Sequence, residues 1–253
     1  MGNDLPKIVK VRRAFAENAD TTTLHLDYRK EYVPGQFLMI WLPGINEKPF
    51  TVAGHDKEGL LITVRKRGEF TQRLAGLQAG ELVGVRGPYG QGFSLEPESV
   101  IVAGGVGFAD VAPLADRFPD APVLYGENTA QSRLYTERFP QVNFYTVDGT
   151  AGVKGFPTDG LEAAVKKTRA KLICACGPEK FLVLVAKAAR ALGVECELAM
   201  ERYMKCGMGI CGQCACGTVR VCAEGPVFNA RELLQNPDFG KRRLMSSGEW
   251  ENA

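Results

Sequence analysis

Five cysteines crowd one glycine-rich run, Cys206-Gly-Met-Gly-Ile-Cys211-Gly-Gln-Cys214-Ala-Cys216-Gly-Thr-Val-Arg-Val-Cys222. Thiolates are soft ligands that suit iron–sulfur clusters and zinc. Four residues separate Cys206 from Cys211, and two separate Cys211 from Cys214. That is the spacing of plant-type [2Fe–2S] sites. Three thiolates must then converge on a two-iron core from one loop. Gly207, Gly209 and Gly212 permit the tight turns this requires, and their N–H groups can point at the sulfurs and adjust the potential. A fourth thiolate must close the cage from a neighbouring segment. Cys216 follows Cys214 too closely to face the far side, so Cys222 is the preferred fourth ligand.

Two other readings compete. A structural zinc site usually presents two C-x2–4-C pairs well apart along the chain, unlike this crowded run. A disulfide cluster needs an oxidising compartment. The N-terminus, with Asp4, Lys7 and Lys10 among short apolar runs, lacks the apolar core of a signal peptide. A cytoplasmic location is therefore expected. Of the remaining cysteines, Cys174 and Cys196 read as small buried hydrophobes. Cys176 is less plain, because Cys176-Gly177-Pro178 ends a strand at the edge where α/β sheets bind nucleotides.

The elements that must hold this chemistry come in three groups. Hydrophobic residues make up 45% of the 253, charged residues 24%, and 31 basic against 29 acidic residues leave a net charge of +2. This is a globular composition with no electrostatic case for nucleic acid. No run approaches the ~20 apolar residues of a membrane helix. Up to about residue 96, short strands such as Thr21–Asp27, Gln36–Leu42, Leu60–Lys66 and Leu82–Arg86 alternate with Gly and Pro turns. The pattern predicts a small antiparallel β-barrel. Residues 97–198 alternate strands with helices, including Leu161–Thr168 and Glu179–Leu192 with Gly193 as terminator, which predicts a parallel α/β sheet. Residues 199–253 form a small Cys-rich unit with a short helix near Ala230–Gln235 and a polar tail. His25 and His55 are expected at the surface or in turns.

Three further segments gain weight from their positions. Lys48-Pro49-Phe50-Thr51 and Gly68-Glu69-Phe70-Thr71 read, by themselves, as a strand entry with a cation and a plain turn. Gly104-Gly105-Val106-Gly107 joins the apolar strand Val100–Ala103 to a helix, where glycines let the backbone approach a pyrophosphate. A lone glycine loop is weak evidence.

In this order the parts resemble the ferredoxin-reductase superfamily, in which a flavin barrel precedes a pyridine-nucleotide domain. Lys48-Pro49-Phe50-Thr51 is similar to that family's Arg-Pro-Phe-Ser flavin strand, and Gly68-Glu69-Phe70-Thr71 to its Gly-x-x-Thr/Ser turn over the FAD pyrophosphate. Gly87-Pro88-Tyr89-Gly90-Gln91-Gly92-Phe93 is similar to the link between its domains. Cys176-Gly177-Pro178 is similar to its Cys-Gly-Pro beside the nicotinamide. The resemblance implies that the Thr51 hydroxyl faces the flavin ring. Two departures stand out. Lys48 replaces an arginine and cannot offer a planar fork, which bears on FAD against FMN. The family's Gly-Gly-x-Gly-x-Ala-Pro is interrupted, with Ala112-Pro113 three positions late. Tyr125-Gly126-Glu127-Asn128 shows no basic pair for a 2′-phosphate, so NAD is preferred over NADP, while Arg133 leaves NADP open.

Glu201 to Gly207, and Val221-Cys222-Ala223-Glu224-Gly225-Pro226-Val227-Phe228, resemble the electron-transfer subunits of B-type dihydroorotate dehydrogenases, from about Ile8 to Phe239. That resemblance implies FAD, a [2Fe–2S] cluster, NAD and an FMN-containing catalytic partner in an α2β2 heterotetramer. The same architecture suits the small subunit of a flavin-based NADH:ferredoxin–NADP oxidoreductase or sulfide dehydrogenase. A zinc-binding interaction protein, and a relative that binds flavin without nucleotide, are the remaining readings.

Overall fold

A computed structural model describes residues 5–252. Six antiparallel strands close a barrel in the order β1-β2-β5-β4-β3-β6. They are β1 (Lys7–Ala16), β2 (Thr21–Leu26), β3 (Phe37–Leu42), β4 (Asn46–Asp56), β5 (Gly59–Arg65) and β6 (Leu82–Tyr89). Inward-facing Leu24, Leu38, Ile40, Ile62, Val64 and Val85 fill the barrel. Each is withdrawn from water, and burial of one such side chain stabilises by about 1.5–3 kcal/mol. Helix α1 (Glu69–Ala75) caps the barrel through Phe70 and Leu74.

The second unit is a seven-stranded sheet in the order β10-β9-β8-β7-β11-β12-β15. Its strands are β7 (Ser99–Gly104), β8 (Val123–Glu127), β9 (Asn143–Thr146), β10 (Val153–Lys154), β11 (Leu172–Cys176), β12 (Glu195–Ala199) and β15 (Val227–Asn229). All neighbours are parallel except β12 and β15. Helices α2 (Phe108–Arg117), α3 (Leu161–Thr168) and α4 (Glu179–Leu192) join the parallel strands. Ser99–Gly104 and Leu172–Cys176 are buried at every position, as strands covered on both faces must be. Cys174 and Cys196 are buried with them. Gly193 ends α4 in the left-handed conformation, at φ 69°.

The cysteine run is not a detached appendage. Its hairpin β13 (Ala215–Cys216) and β14 (Val219–Arg220) leads through α5 (Val221–Glu224) into β15, which pairs with β12 as the edge strand of the seven-stranded sheet. Helix α6 (Ala230–Gln235) then packs against α4 and β12. The polar tail forms a second hairpin, β16 (Arg242–Leu244) with β17 (Trp250–Asn252).

One expectation needs correction. His25 lies on β2 and has no exposure at all. Both faces of β2 are covered, the outer one partly by Thr63 and Tyr135, which hydrogen-bond between the two units. Asp56 lies 3.0 Å from His25 Nε2 and Arg13 lies 3.3 Å from Nδ1. His55 keeps a surface position, with its Nδ1 3.1 Å from the Tyr32 hydroxyl.

Candidate functional site: a two-walled cleft and a paired-thiol loop

A cleft of about 650 Å³ runs between barrel and sheet. The barrel wall supplies Lys48, Pro49, Phe50 and Thr51 from β4, and Thr71 from the first turn of α1. The sheet wall supplies Gly104, Gly105 and Gly107, together with Gly177 and Pro178. Segments separated by more than a hundred residues thus share one cavity. Cys176 stands behind Gly177, fully buried. Of the other expected contacts, Glu69 opens α1, Phe70 packs inward against Phe50 at 6.2 Å, and Gly68 receives the Thr71 hydroxyl through its carbonyl at 2.9 Å. Thr71 also accepts from the N–H groups of Arg67 and Gly68, which fixes the turn.

The sheet wall has this shape because backbones touch. A Cβ on Gly107 would lie 2.7 Å from both the Cys176 carbonyl carbon and the Gly177 nitrogen. Glycine is required there for close approach, the role glycines play in strand–loop–helix nucleotide sites. Ala112 and Pro113 lie in the middle of α2, and Asp110 takes the place in its first turn. The Asp110 carboxylate accepts hydrogen bonds from the Thr51 hydroxyl and the Cys176 thiol. Burial raises the Asp110 carboxyl to about 6, against the lowering effect of those two donors. Glu201 lines the same cleft, hemmed in by protein but open to the cavity. Burial, then the charge of Asp110, raise it to about 7, with Arg243 opposing.

Sequence reasoning missed Arg65, Arg67 and Arg243, which also line the cleft. They add positive charge beside Lys48, whose Nζ lies 5.7 Å from the Phe70 ring centre. Nothing in their local sequence marked them. Arg65 reaches across from β5 to Glu127 at the end of β8, at 2.6 Å. Glu127 is buried and also accepts from the Tyr125 hydroxyl at 2.9 Å, so its carboxylate is taken up by Arg65 and Tyr125. Arg133 is committed elsewhere, stacked 4.9 Å from the Phe144 ring centre and donating to two carbonyls. The cleft's volume, its glycine-lined sheet wall and its cations fit a dinucleotide flavin.

The cysteine loop shows two thiol pairs. Cys206 hydrogen-bonds with Cys211, and Cys222 with Cys214. Among the described residues, the only group of three or more ligand atoms mutually within 4.8 Å is His25, Asp56 and Glu58. No three of these thiols therefore share that space, whereas one tetrahedral zinc with bonds of about 2.3 Å brings all its sulfurs within ~3.8 Å of one another. Two pairs suit two metal ions. Gly207, Gly209 and Gly212 all have φ between 72° and 79°. The turns they allow aim N–H groups at sulfur: Gly209 at Cys222 (3.1 Å), and Ile210 and Cys211 at Cys206 (3.4 and 3.5 Å). Burial raises the Cys206 thiol, but N–H donors from Cys211, Met208 and Ile210 outweigh it and bring the group down to about 6. Burial and its bond with Cys214 push Cys222 up to about 12. Cys216 faces away, 3.3 Å from Asn236 Oδ1 and 3.4 Å from Arg202 Nη2.

Cleft and loop are neighbours. A Cβ on Gly207 would strike Met39 of β3 at 2.8 Å. Phe37 of the same strand lines the cleft and pairs in register with Thr51. Met204, two residues before Cys206, lines the cleft as well.

Comparisons with known proteins agree with this geometry. Residues 7–93 match the oxidoreductase FAD-binding domain, and residues 201–234 match the iron–sulfur cluster binding domain of dihydroorotate dehydrogenase B. The probable dihydroorotate dehydrogenase B (NAD(+)) electron transfer subunit of Pyrococcus abyssi is 40% identical over 247 residues, which is 95% of this chain and 96% of that one. Its counterpart in Methanocaldococcus jannaschii is 35% identical over 96% of this chain and 97% of its own. In three dimensions the chain is similar to a chain of an NADH-dependent reduced ferredoxin–NADP oxidoreductase, with a TM-score of 0.79 and 26% identity over 92% of this chain and 91% of that one. Phthalate dioxygenase reductase shares the fold, at a TM-score of 0.62 and 13% identity over 73% of this chain and 64% of its own. The chain belongs to the family of dihydroorotate dehydrogenase B electron transfer subunits.

Proposed function

We propose that this chain carries electrons between an FMN-containing dihydroorotate dehydrogenase subunit and NAD+, within a cytoplasmic α2β2 heterotetramer of the pyrimidine-synthesis route. The observation that carries the reading is the contact of the thiol-pair loop with β3, the strand in register with Thr51 of the cleft. Cys206 with Cys211, and Cys214 with Cys222, would hold the two irons. Lys48–Thr51 and Gly68–Thr71 would hold FAD, and Gly104, Gly105, Gly107 and Cys176–Pro178 would hold the nicotinamide nucleotide. When bound, FAD exchanges an electron pair as hydride with nicotinamide, and the cluster carries single electrons. The protein's part is to align these groups. Thr51 and Cys176 are fixed at the junction of the walls by Asp110. The relatives that the chain matches are named as NAD(+) enzymes' subunits, which supports NAD. No helix among the described residues is long and apolar enough to cross a membrane.

The test is the visible spectrum of the purified chain, followed by anaerobic NADH. Flavin bands over broad iron–sulfur absorbance, bleached by NADH, are expected. A colourless, zinc-containing sample would refute the reading. The likeness to the NADH-dependent ferredoxin–NADP oxidoreductase chain sustains a second reading, as the small subunit of such an enzyme. Copurification with an FMN subunit that oxidises dihydroorotate decides between them.

A further inference from the structure

Asp110 sits where the three parts of the cleft meet. It projects from the first turn of α2 and receives the Thr51 hydroxyl from β4 and the Cys176 thiol from β11. Tyr135 and Glu201 are the other titratable groups that act on it, and Arg243 acts on Glu201. Burial holds the Cys176 thiol and the Tyr135 phenol protonated across the neutral range. Only Asp110 and Glu201 can change charge there.

An ionised carboxylate only accepts hydrogen bonds, whereas a protonated one also donates. With Asp110 ionised, the Thr51 hydrogen is drawn inward and the hydroxyl oxygen turns lone pairs toward the cleft. With Asp110 protonated, its own hydrogen can go to the Thr51 oxygen, and the Thr51 hydrogen is free to point into the cleft. We propose that Asp110 is a positioning residue that sets the direction of the hydrogen bond Thr51 offers the flavin, acceptor when ionised and donor when protonated. The inference rests on the flavin reading above. Nitrogen N5 of an oxidised flavin carries a lone pair and no hydrogen, so it gains only from the donor form. The carboxyl's position near 6 places the change within reach of ordinary buffers.

The test compares the full chain's affinity for oxidised FAD with that for oxidised 5-deaza-FAD, in which the N5 position is C–H. Effects of pH on pyrophosphate binding cancel in the ratio. FAD is expected to bind roughly fivefold tighter than the analogue at pH 5, the worth of one hydrogen bond. That preference should vanish by pH 8, with its midpoint near 6. Asp110→Asn should make the ratio independent of pH. Glu201→Gln should keep the dependence and leave its midpoint near 6, because Glu201, at about 7, is still mostly protonated and uncharged when Asp110 titrates. If Asp110→Asn fails to fold, Thr51→Val serves instead and should hold the ratio near one at every pH. A flat ratio in the unmodified chain, or a dependence that survives Asp110→Asn or Thr51→Val, overturns the inference. If neither flavin binds, the flavin reading itself fails, and the two failures are distinct.

Discussion

Gly107→Ala tests whether the nucleotide wall depends on direct backbone contact. Gly107 has φ −59°, an ordinary value, so alanine brings no conformational strain. The whole effect is steric. The new methyl would lie 2.7 Å from the Cys176 carbonyl carbon and the Gly177 nitrogen, and 2.8 Å from the Cys176 oxygen. Backbone cannot rotate aside as a side chain can, so the glycine loop and the Cys176–Pro178 turn must separate by somewhat less than ~1 Å to reach ordinary contact. Such overpacking costs about 1–3 kcal/mol, or a Tm loss of about 2–4 °C for each kcal/mol in a chain of this size. The functional loss should be larger, because a displacement of ~1 Å at a reacting geometry can reduce a rate about a hundredfold. The flavin contacts proposed on β4 and α1 are untouched, so FAD content should stay at the level of the unmodified chain. Stopped-flow reduction by NADH, read beside the flavin-to-protein absorbance ratio, measures both. A variant that keeps its flavin and is reduced by NADH at the unmodified rate would refute the claim that this contact shapes the nucleotide site.

Three more predictions follow from the same geometry. Cys222→Ser should lose most iron and the broad absorbance above the flavin bands, whereas Cys216→Ser, removing a thiol turned toward Arg202 and Asn236, should keep both; iron analysis of the two variants decides. Arg202 is buried and paired with Glu179 at the start of α4, so Arg202→Ala leaves a carboxylate unpaired and should cost about 3–5 kcal/mol; denaturant unfolding measures it, and Arg202→Lys should cost less. Asp110 has a folded value of about 6 against an ordinary 3.8, so the folded chain binds more protons between these values and stability falls as pH rises through that window. Discounted for water in the cleft, the penalty above pH 6 is about 1 kcal/mol. The FAD-free Asp110→Asn chain should therefore melt higher than the unmodified chain at pH 8 and equally at pH 4; parallel melting curves would refute this.

Much of the architecture was legible because each part carries a local signature. Alternation between Gly and Pro turns marked the barrel, and the change to strands followed by helices marked the sheet. Gly193 announced the end of α4. The cysteine spacing is itself a geometric statement, since a loop with those steps and glycines folds around an object with ligands on two sides. The glycine loop and Cys-Gly-Pro each stood at the end of a buried strand, which is where a parallel sheet opens to a ligand.

What the residue pattern could not express is which distant groups meet. The interruption by Asp110 looked like damage to a nucleotide loop, and only the barrel packed against α2 shows that it receives the Thr51 hydroxyl. Arg65 was one cation in a strand until Glu127 came within 2.6 Å of it. Cys216 and Cys222 have the same chemistry, and the direction each thiol takes depends on Arg202, Asn236 and Cys214 around them. His25 alternates with apolar residues as a surface residue would, yet is buried because the second unit and its own barrel cover both faces of β2. By itself, the sequence determined the periods, turns and ligand spacings, since these arise from contacts a few residues apart. The tertiary structure alone decided charge pairing, burial and the direction of hydrogen bonds, because those depend on groups brought together from across the chain.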